Sequence, residues 1–137
     1  MSRYLLDTNI LSDAMRNPRG VIRRRIEEVG PDAVYTSIIV AAELRFGVVK
    51  SGSWRLASNF DEVIRPLEVV PFDEPVDRTY AELRAELERR GTPIGANDLW
   101  IAAQALHDGS VLVTDNVSEF SRVPGLTVEN WLRPQVR

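Results

Sequence analysis

Residues 4–9 constrain the fold of this chain more than any other stretch. Three apolar residues at 4–6 predict a short strand that is buried on both faces. The polarity then changes at once to a carboxylate, a hydroxyl and an amide, and a helix follows. An acid at the carboxyl end of a buried strand lies where open α/β sheets bind ligands. Asp7 or Asn9 could equally cap the helix, and this stretch alone does not decide between the two roles.

Strands and helices alternate along the rest of the chain. Buried strands are predicted at 33–36, 67–70, 111–113 and 126–128. Helices are predicted at 9–15, 18–29, 38–50, 54–64, 74–90, 98–107 and 117–120. In the third helix, Ile39, Ala42, Phe46 and Val49 form one stripe that we expect to face the core. This alternation predicts an α/β fold with a parallel, doubly wound sheet.

The bulk properties narrow the class of protein. A length of 137 residues predicts one domain spanning 1–137. The chain has no cysteine, which excludes disulfides, a cysteine nucleophile and zinc–thiolate sites. No stretch approaches the ~20 apolar residues of a membrane span, and the first residues lack the apolar run of a signal peptide. We therefore expect a cytoplasmic protein without membrane contact.

Four acidic residues share a pattern: Asp7 and Asp115 end predicted strands, Glu43 lies on the helix after the second strand, and Asp98 begins the helix before the fourth strand. Because the carboxyl ends of parallel strands meet at one edge of a sheet, these carboxylates are expected to converge. Converging carboxylates repel one another unless protons or cations neutralise them. Oxygen ligands without histidine or cysteine favour Mg²⁺ or Mn²⁺. The residues alone thus indicate metal-dependent phosphoryl chemistry, although the net charge of −3 argues against binding nucleic acid through bulk charge.

Five motifs in chain order give the sequence a specific resemblance. They are Leu-Leu-Asp-Thr-Asn-Ile-Leu-Ser at 5–12, Thr-Ser-Ile-Ile-Val-Ala-Ala-Glu-Leu-Arg-Phe-Gly at 36–47, Asn-Asp-Leu-Trp-Ile-Ala-Ala at 97–103, Leu-Val-Thr-Asp-Asn-Val-Ser-Glu-Phe at 112–120 and the tail at 123–131. Together they resemble PIN-domain ribonucleases, and more narrowly the VapC toxins of type II toxin–antitoxin systems. The resemblance covers essentially the whole chain. It implies a three-layer α/β/α fold with a mostly parallel central sheet.

The resemblance also implies a set of site residues. Asp7 and Asp98 would be the principal metal ligands, with Glu43 acting directly or through water. The family pattern of Thr, any residue, then Asp or Asn aligns Asn116 with the fourth position, while Asp115 remains an alternative. Thr8, Asn9 and Thr114 would position side chains and water around Mg²⁺, for which Mn²⁺ could substitute.

A VapC toxin would cleave RNA of the translation machinery, and a VapB antitoxin would block its acidic cleft. The resemblance implies a homodimer or a toxin–antitoxin hetero-oligomer, and residues 38–64 are a candidate dimer surface. Arg16, Arg19 and Arg45 are candidate contacts to the RNA backbone.

Other functions fit the sequence less well. A phosphoaspartate hydrolase also begins with an acid after its first strand, but it needs a second Asp two residues later, where this chain has Asn9. A protein-binding α/β module would not need converging acids. A PIN domain without activity would be expected to lose its acids, and a PIN domain that processes RNA outside toxin–antitoxin systems remains an alternative.

Overall fold

The computed structural model describes residues 2–133, in which five strands form a single sheet. The strands are β1 (Tyr4–Leu6), β2 (Val34–Ser37), β3 (Glu68–Val70), β4 (Val111–Val113) and β5 (Thr127–Glu129). Their order in the sheet is β3-β2-β1-β4-β5, and every neighbouring pair is parallel. The α/β fold predicted from the sequence is confirmed, and the sheet is parallel throughout.

Helices connect the strands. They are α1 (Thr8–Arg16), α2 (Val21–Val29), α3 (Ile38–Ser51), α4 (Trp54–Ile64), α5 (Val76–Arg89), α6 (Ala96–Asp108) and α7 (Val117–Phe120). Helices α1 to α4 contact one another, and α5 packs along α6. No helix among residues 2–133 combines the length and the apolar content that crossing a membrane requires.

The order of the strands determines where a site can form. Strand β1 lies at the centre of the sheet. The chain first adds β2 and β3 on one side of β1 and then adds β4 and β5 on the other side. Side chains of Leu5 and Leu6 are completely buried there. A crevice forms at the carboxyl end of an open sheet where the winding direction changes. Asp7, directly after β1, therefore stands at this crevice.

Several predicted boundaries are wrong for local reasons. Helix α2 begins at Val21, because residues 18–20 form a turn in which the Gly20 N–H donates to the Asn17 carbonyl at 2.8 Å. Helix α6 begins two residues before Asp98, since the carbonyl of Gly95 already accepts from Leu99 N–H at 2.9 Å. Asp98 consequently lies within the first turn of α6.

The predicted core stripe of α3 is also wrong. Phe46 is 66% exposed and Val49 is 73% exposed, whereas the buried residues of α3 are Val40, Ala41 and Leu44. Both faces of α3 are apolar, so hydrophobic periodicity could not identify the inward one. We call the set Ile38, Phe46 and Val49 the α3 apolar face, because their spacing places them on one side of the helix.

Candidate active site

Asp7 is both a helix cap and a member of a polar site. It is the N-cap of α1, and its Oδ1 accepts a 2.7 Å hydrogen bond from the Thr8 N–H. Its Oδ2 accepts a second 2.7 Å bond from the Thr114 hydroxyl. Only 3% of Asp7 is exposed. Asp7 therefore caps α1 and also accepts a hydrogen bond from the residue that follows β4.

Thr114 connects the ends of β1 and β4. In addition to donating to Asp7, its hydroxyl oxygen accepts bonds from the Asn116 N–H at 3.0 Å and from Asn9 Nδ2 at 3.5 Å. Asn9 Oδ1 in turn accepts the Asp115 N–H at 2.9 Å. Asn9 and Thr114 thus hold the two strand ends together.

Glu43 connects three helices at the same edge of the sheet. It projects from α3, and its Oε1 accepts a 2.8 Å bond from the Thr8 hydroxyl at the start of α1. Its Oε2 accepts a 3.2 Å bond from Asn97 Nδ2 at the start of α6. Both carboxylate oxygens of Glu43 are therefore oriented by donors beside the other site residues.

Asp98 and Glu119 form an acidic pair that the sequence prediction described only in part. Glu119 Oε1 accepts from the Gly95 N–H and its Oε2 from Asn116 Nδ2, both at 2.7 Å. A Cβ atom placed on Gly95 would lie 3.6 Å from Glu119 Oε1 and 3.9 Å from Asp98 Oδ2, so both carboxyl groups lie against this glycine. The two carboxyl groups also hydrogen-bond to each other, which requires a shared proton.

The electrostatics show that four carboxyl groups belong to one cluster. Burial, a hydrogen bond with Glu119 and the negative charges of Glu119, Asp7 and Glu43 raise the pKa of Asp98 to about 7. Burial also raises the pKa of Asp7, and the charges of Glu43 and Glu119 add to this. The Gly95 N–H, and after it Asp98 and Asn116, hold the pKa of Glu119 below its usual value. We call Asp7, Glu43, Asp98 and Glu119 the acidic cluster.

The donor atoms of the acidic cluster suit a hard divalent cation. All are carboxylate oxygens, which Mg²⁺ and Mn²⁺ prefer. Within residues 2–133, no three acidic or histidine side chains are already arranged to bind one ion directly. The mutual repulsion that raises the pKa of Asp98 is a charge imbalance that a cation would relieve.

Asp115 and Asn116 differ in what they contact. The Asn116 side chain donates to Glu119 and so joins the acidic cluster. The Asp115 carboxylate instead accepts from Asn130 Nδ2 at 2.9 Å and from Arg133 Nε at 3.1 Å. The Asn116 side chain therefore contacts the acidic cluster, whereas the Asp115 carboxylate is directed to other partners.

The three arginines predicted to contact RNA lie apart from the contacts of the cluster. Arg16 is the last residue of α1, about 12 Å along the helix axis from its first residue, and donates to Ser12. Arg19 is exposed in the turn that follows. Arg45 lies over the ring of Phe60, 4.8 Å from its centre.

Two site residues escaped the sequence prediction. Glu119 lies within a recognised motif, at the third position of the short helix α7. Asn97 immediately precedes Asp98 in another such motif. Both join the site through bonds to distant residues, Glu119 with Gly95 and Asn97 with Glu43, which local sequence patterns do not predict.

The sequence matches the PIN domain family over residues 4–126. A relative from Rickettsia felis named Ribonuclease VapC2 is 39% identical over 130 residues, which cover 93% of this chain and 97% of that protein. This chain belongs to the VapC family of PIN-domain ribonucleases. A second VapC relative, the tRNA(fMet)-specific endonuclease VapC of Salmonella typhimurium, is 36% identical and covers 96% of this chain and 99% of its own length.

The fold of this VapC protein agrees with that of a solved relative. A chain in the crystal structure of VapBC2 from Rickettsia felis, bound to a DNA fragment from its promoter, matches with a TM-score of 0.87 and 38% identity. The match covers 93% of this chain and 98% of that one. The PIN-like α/β/α fold that the resemblance implied is confirmed.

Proposed function

We propose that this VapC protein is a Mg²⁺-dependent endoribonuclease that cleaves RNA of the translation machinery and acts as the toxin of a type II toxin–antitoxin module. The observation that carries the proposal is the acidic cluster, in which Asp7, Glu43, Asp98 and Glu119 influence one another's charge at the crevice of the sheet. The ribonuclease names of its relatives support the activity. The Salmonella relative's specificity for tRNA(fMet) makes initiator tRNA the first substrate to test.

Asp7, Asp98 and Glu43 are the residues that would hold the ion. When bound, a divalent cation offsets the negative charge that develops on the attacking and leaving oxygens during phosphodiester hydrolysis. Water is the attacking group, and its protons end on the solvent and on the oxygen that leaves the phosphorus. The reaction therefore needs no nucleophilic side chain.

The neighbouring side chains keep the carboxylates in place. Thr114 fixes one oxygen of Asp7 and the backbone of Thr8 fixes the other. Thr8 and Asn97 orient Glu43. Because Asp7, Glu43 and Glu119 each accept hydrogen bonds from other elements, these three acids are preorganised before RNA arrives, which reduces the reorganisation needed in the reaction.

The partner that we propose is a VapB-type antitoxin. The structural relative from Rickettsia felis is a VapBC2 complex. The antitoxin would cover the acidic cluster and keep RNA away. A toxin dimer or a larger hetero-oligomer is the assembly expected for such a module.

Cleavage assays with isosteric variants test the activity. Asp7→Asn and Asp98→Asn each remove one charge from the cluster, and we expect both to abolish Mg²⁺-dependent cleavage of total RNA and of initiator tRNA. Asp13→Asn is the matched control, since Asp13 lies on the same helix as Asp7 and contacts Asn17 outside the cluster. Cleavage that continues in EDTA, or that either cluster variant retains, would refute the metal-dependent mechanism.

Growth assays test the toxin role separately. Expression of the chain alone should arrest growth, and co-expression of its antitoxin should restore it. Sequencing of RNA 5′ ends shortly after induction should show cuts in RNA of the translation machinery. Normal growth together with Mg²⁺-dependent cleavage in vitro would instead favour an RNA-processing role outside toxin–antitoxin systems.

A further inference from the structure

An exposed ion pair lies next to the acidic cluster. Arg133 Nε donates to Asp115 Oδ1 at 3.1 Å, and the side chain of Arg133 is 74% exposed. Asp115 lies between Thr114, which bonds to Asp7, and Asn116, which bonds to Glu119. Neighbouring Cα atoms are about 3.8 Å apart. Asp115, which holds Arg133, is therefore the immediate chain neighbour of two residues that bond to members of the acidic cluster.

The carboxylate of this pair is held in place by several bonds. The backbone N–H of Asp115 donates to Asn9 Oδ1 at 2.9 Å, which fixes the residue against the end of β1. Its Oδ1 also accepts from Asn130 Nδ2 at 2.9 Å, directly after β5. Asn130 Oδ1 in turn accepts from the Leu132 N–H at 2.9 Å and so shapes the segment that carries Arg133. These contacts give Asp115 a defined direction away from the other carboxylates.

The guanidinium retains most of its binding capacity. An arginine has five N–H donors, and the bond to Asp115 uses the one on Nε. Among residues 2–133, the two terminal nitrogens of Arg133 make no other hydrogen bond or ion pair. The planar guanidinium of Arg133 is held at Nε by Asp115 and has four donors left. Such an exposed group suits the oxygens of a phosphate.

We propose that Arg133 binds a phosphate of the RNA backbone, and that Asp115 is the positioning residue of this arginine. The inference rests on the proposed ribonuclease function and assigns the RNA contact to an arginine at the carboxyl edge of the sheet. It also gives Asp115 a role that does not involve the metal.

The first test measures RNA binding without cleavage. Fluorescence anisotropy of labelled RNA in EDTA, recorded over a series of salt concentrations, should show that Arg133→Gln weakens binding about three- to tenfold at low salt. The slope of log K against log[salt] should become shallower by about 0.7, the value for one phosphate contact to a single strand. Arg133→Lys keeps the charge and should keep the slope.

The control removes the same charge from the opposite edge of the sheet. Arg3 precedes β1 and pairs with Glu68, so Arg3→Gln changes the net charge equally but should leave the slope unchanged. Equal effects of Arg3→Gln and Arg133→Gln would mean that only the net charge matters and would overturn the proposal. An unchanged slope for Arg133→Gln would also overturn it.

The second test combines the two members of the pair. Asp115→Ala should slow RNA cleavage several-fold at saturating Mg²⁺, and it should have no further effect in a protein that carries Arg133→Gln. The Mg²⁺ concentration for half-maximal cleavage should be unchanged in all three variants. A shift of that concentration by Asp115→Ala, or an undiminished effect in the double variant, would contradict the positioning role. If the wild-type protein cleaves RNA, either result rejects this inference alone, whereas an inactive wild type rejects the proposed function.

Discussion

The Thr114 hydroxyl donates a 2.7 Å hydrogen bond to Asp7 Oδ2, although the two residues are 107 positions apart in the chain. The parallel pairing of β1 with β4 brings them together, because Leu6 and Val113, the last residues of the two strands, pair with each other and Asp7 and Thr114 follow them directly. Asp7 is almost completely buried, so its carboxylate depends on such donors in place of water. The sheet register therefore sets the geometry of the acidic cluster.

Replacing this donor should affect both stability and activity. Thr114→Val keeps the shape of the side chain but leaves Asp7 Oδ2 without its partner. We expect the free energy of unfolding to fall by about 1–3 kcal/mol and cleavage to be strongly reduced, as measured by urea denaturation and an RNA assay. Thr114→Ser retains the hydroxyl and should restore most of the activity. A fully active Thr114→Val variant would contradict the role assigned to this bond.

The stability of the metal-free protein should depend on pH through Asp98. Its pKa is about 7 in the folded protein and 3.8 in its usual environment. The folded state therefore binds more protons between these values, and stability falls as the pH rises from about 4 to 7. Urea denaturation in EDTA between pH 5 and 8 should show this decline in the wild type and a weaker one in Asp98→Asn.

The Asp13→Asn variant provides the control for this pH series and should follow the wild type. Addition of Mg²⁺ should reduce the decline, because a bound cation replaces the proton that Asp98 loses. Identical pH dependence of the wild type and Asp98→Asn in EDTA would show that Asp98 is not the group responsible.

Glu119 should act through its charge on Asp98. Glu119→Gln removes the hydrogen-bonded negative charge that raises the pKa of Asp98. We expect a lower pKa for Asp98, a flatter stability profile between pH 5 and 8, and a higher Mg²⁺ concentration for half-maximal cleavage. The readouts are the same denaturation series and a Mg²⁺ titration of RNA cleavage. If Glu119→Gln left both measurements unchanged, Glu119 would not be a functional member of the cluster.

The α3 apolar face should mediate self-association. Phe46→Ser removes an exposed aromatic side chain, so the free energy of unfolding should change by no more than about 0.5 kcal/mol, while light scattering should show less dimer. Leu44→Ala is the matched control on the buried side of the same helix, and it should cost about 2–5 kcal/mol. An unchanged dimer content in Phe46→Ser would place the dimer surface elsewhere.

Local patterns in the sequence predicted much of the fold. Short apolar runs bounded by polar residues identified β4 at 111–113, and the helices predicted at 38–50 and 54–64 begin where α3 and α4 begin. Parallel topology followed from the alternation of elements. These features depend on neighbouring residues, which is why they can be read from one sequence.

The parts that the sequence could not predict depend on contacts between distant residues. The exposure of Phe46 depends on which side of α3 meets the sheet, and this helix carries apolar residues on both sides. The membership of Glu119 in the acidic cluster depends on its bond to the Gly95 N–H, 24 residues away. The direction of the Asp115 side chain depends on Asn130 and Arg133, which follow a different strand.

The 107-residue separation between Asp7 and Thr114 also has a consequence for synthesis of the protein. At about 5–20 residues per second, the ribosome adds Thr114 about 5–20 s after Asp7. The nascent chain has no complete acidic cluster during that interval, since Glu119 follows later still. The acidic cluster can therefore form only after residues 114–119 have been synthesised and have reached the end of β1.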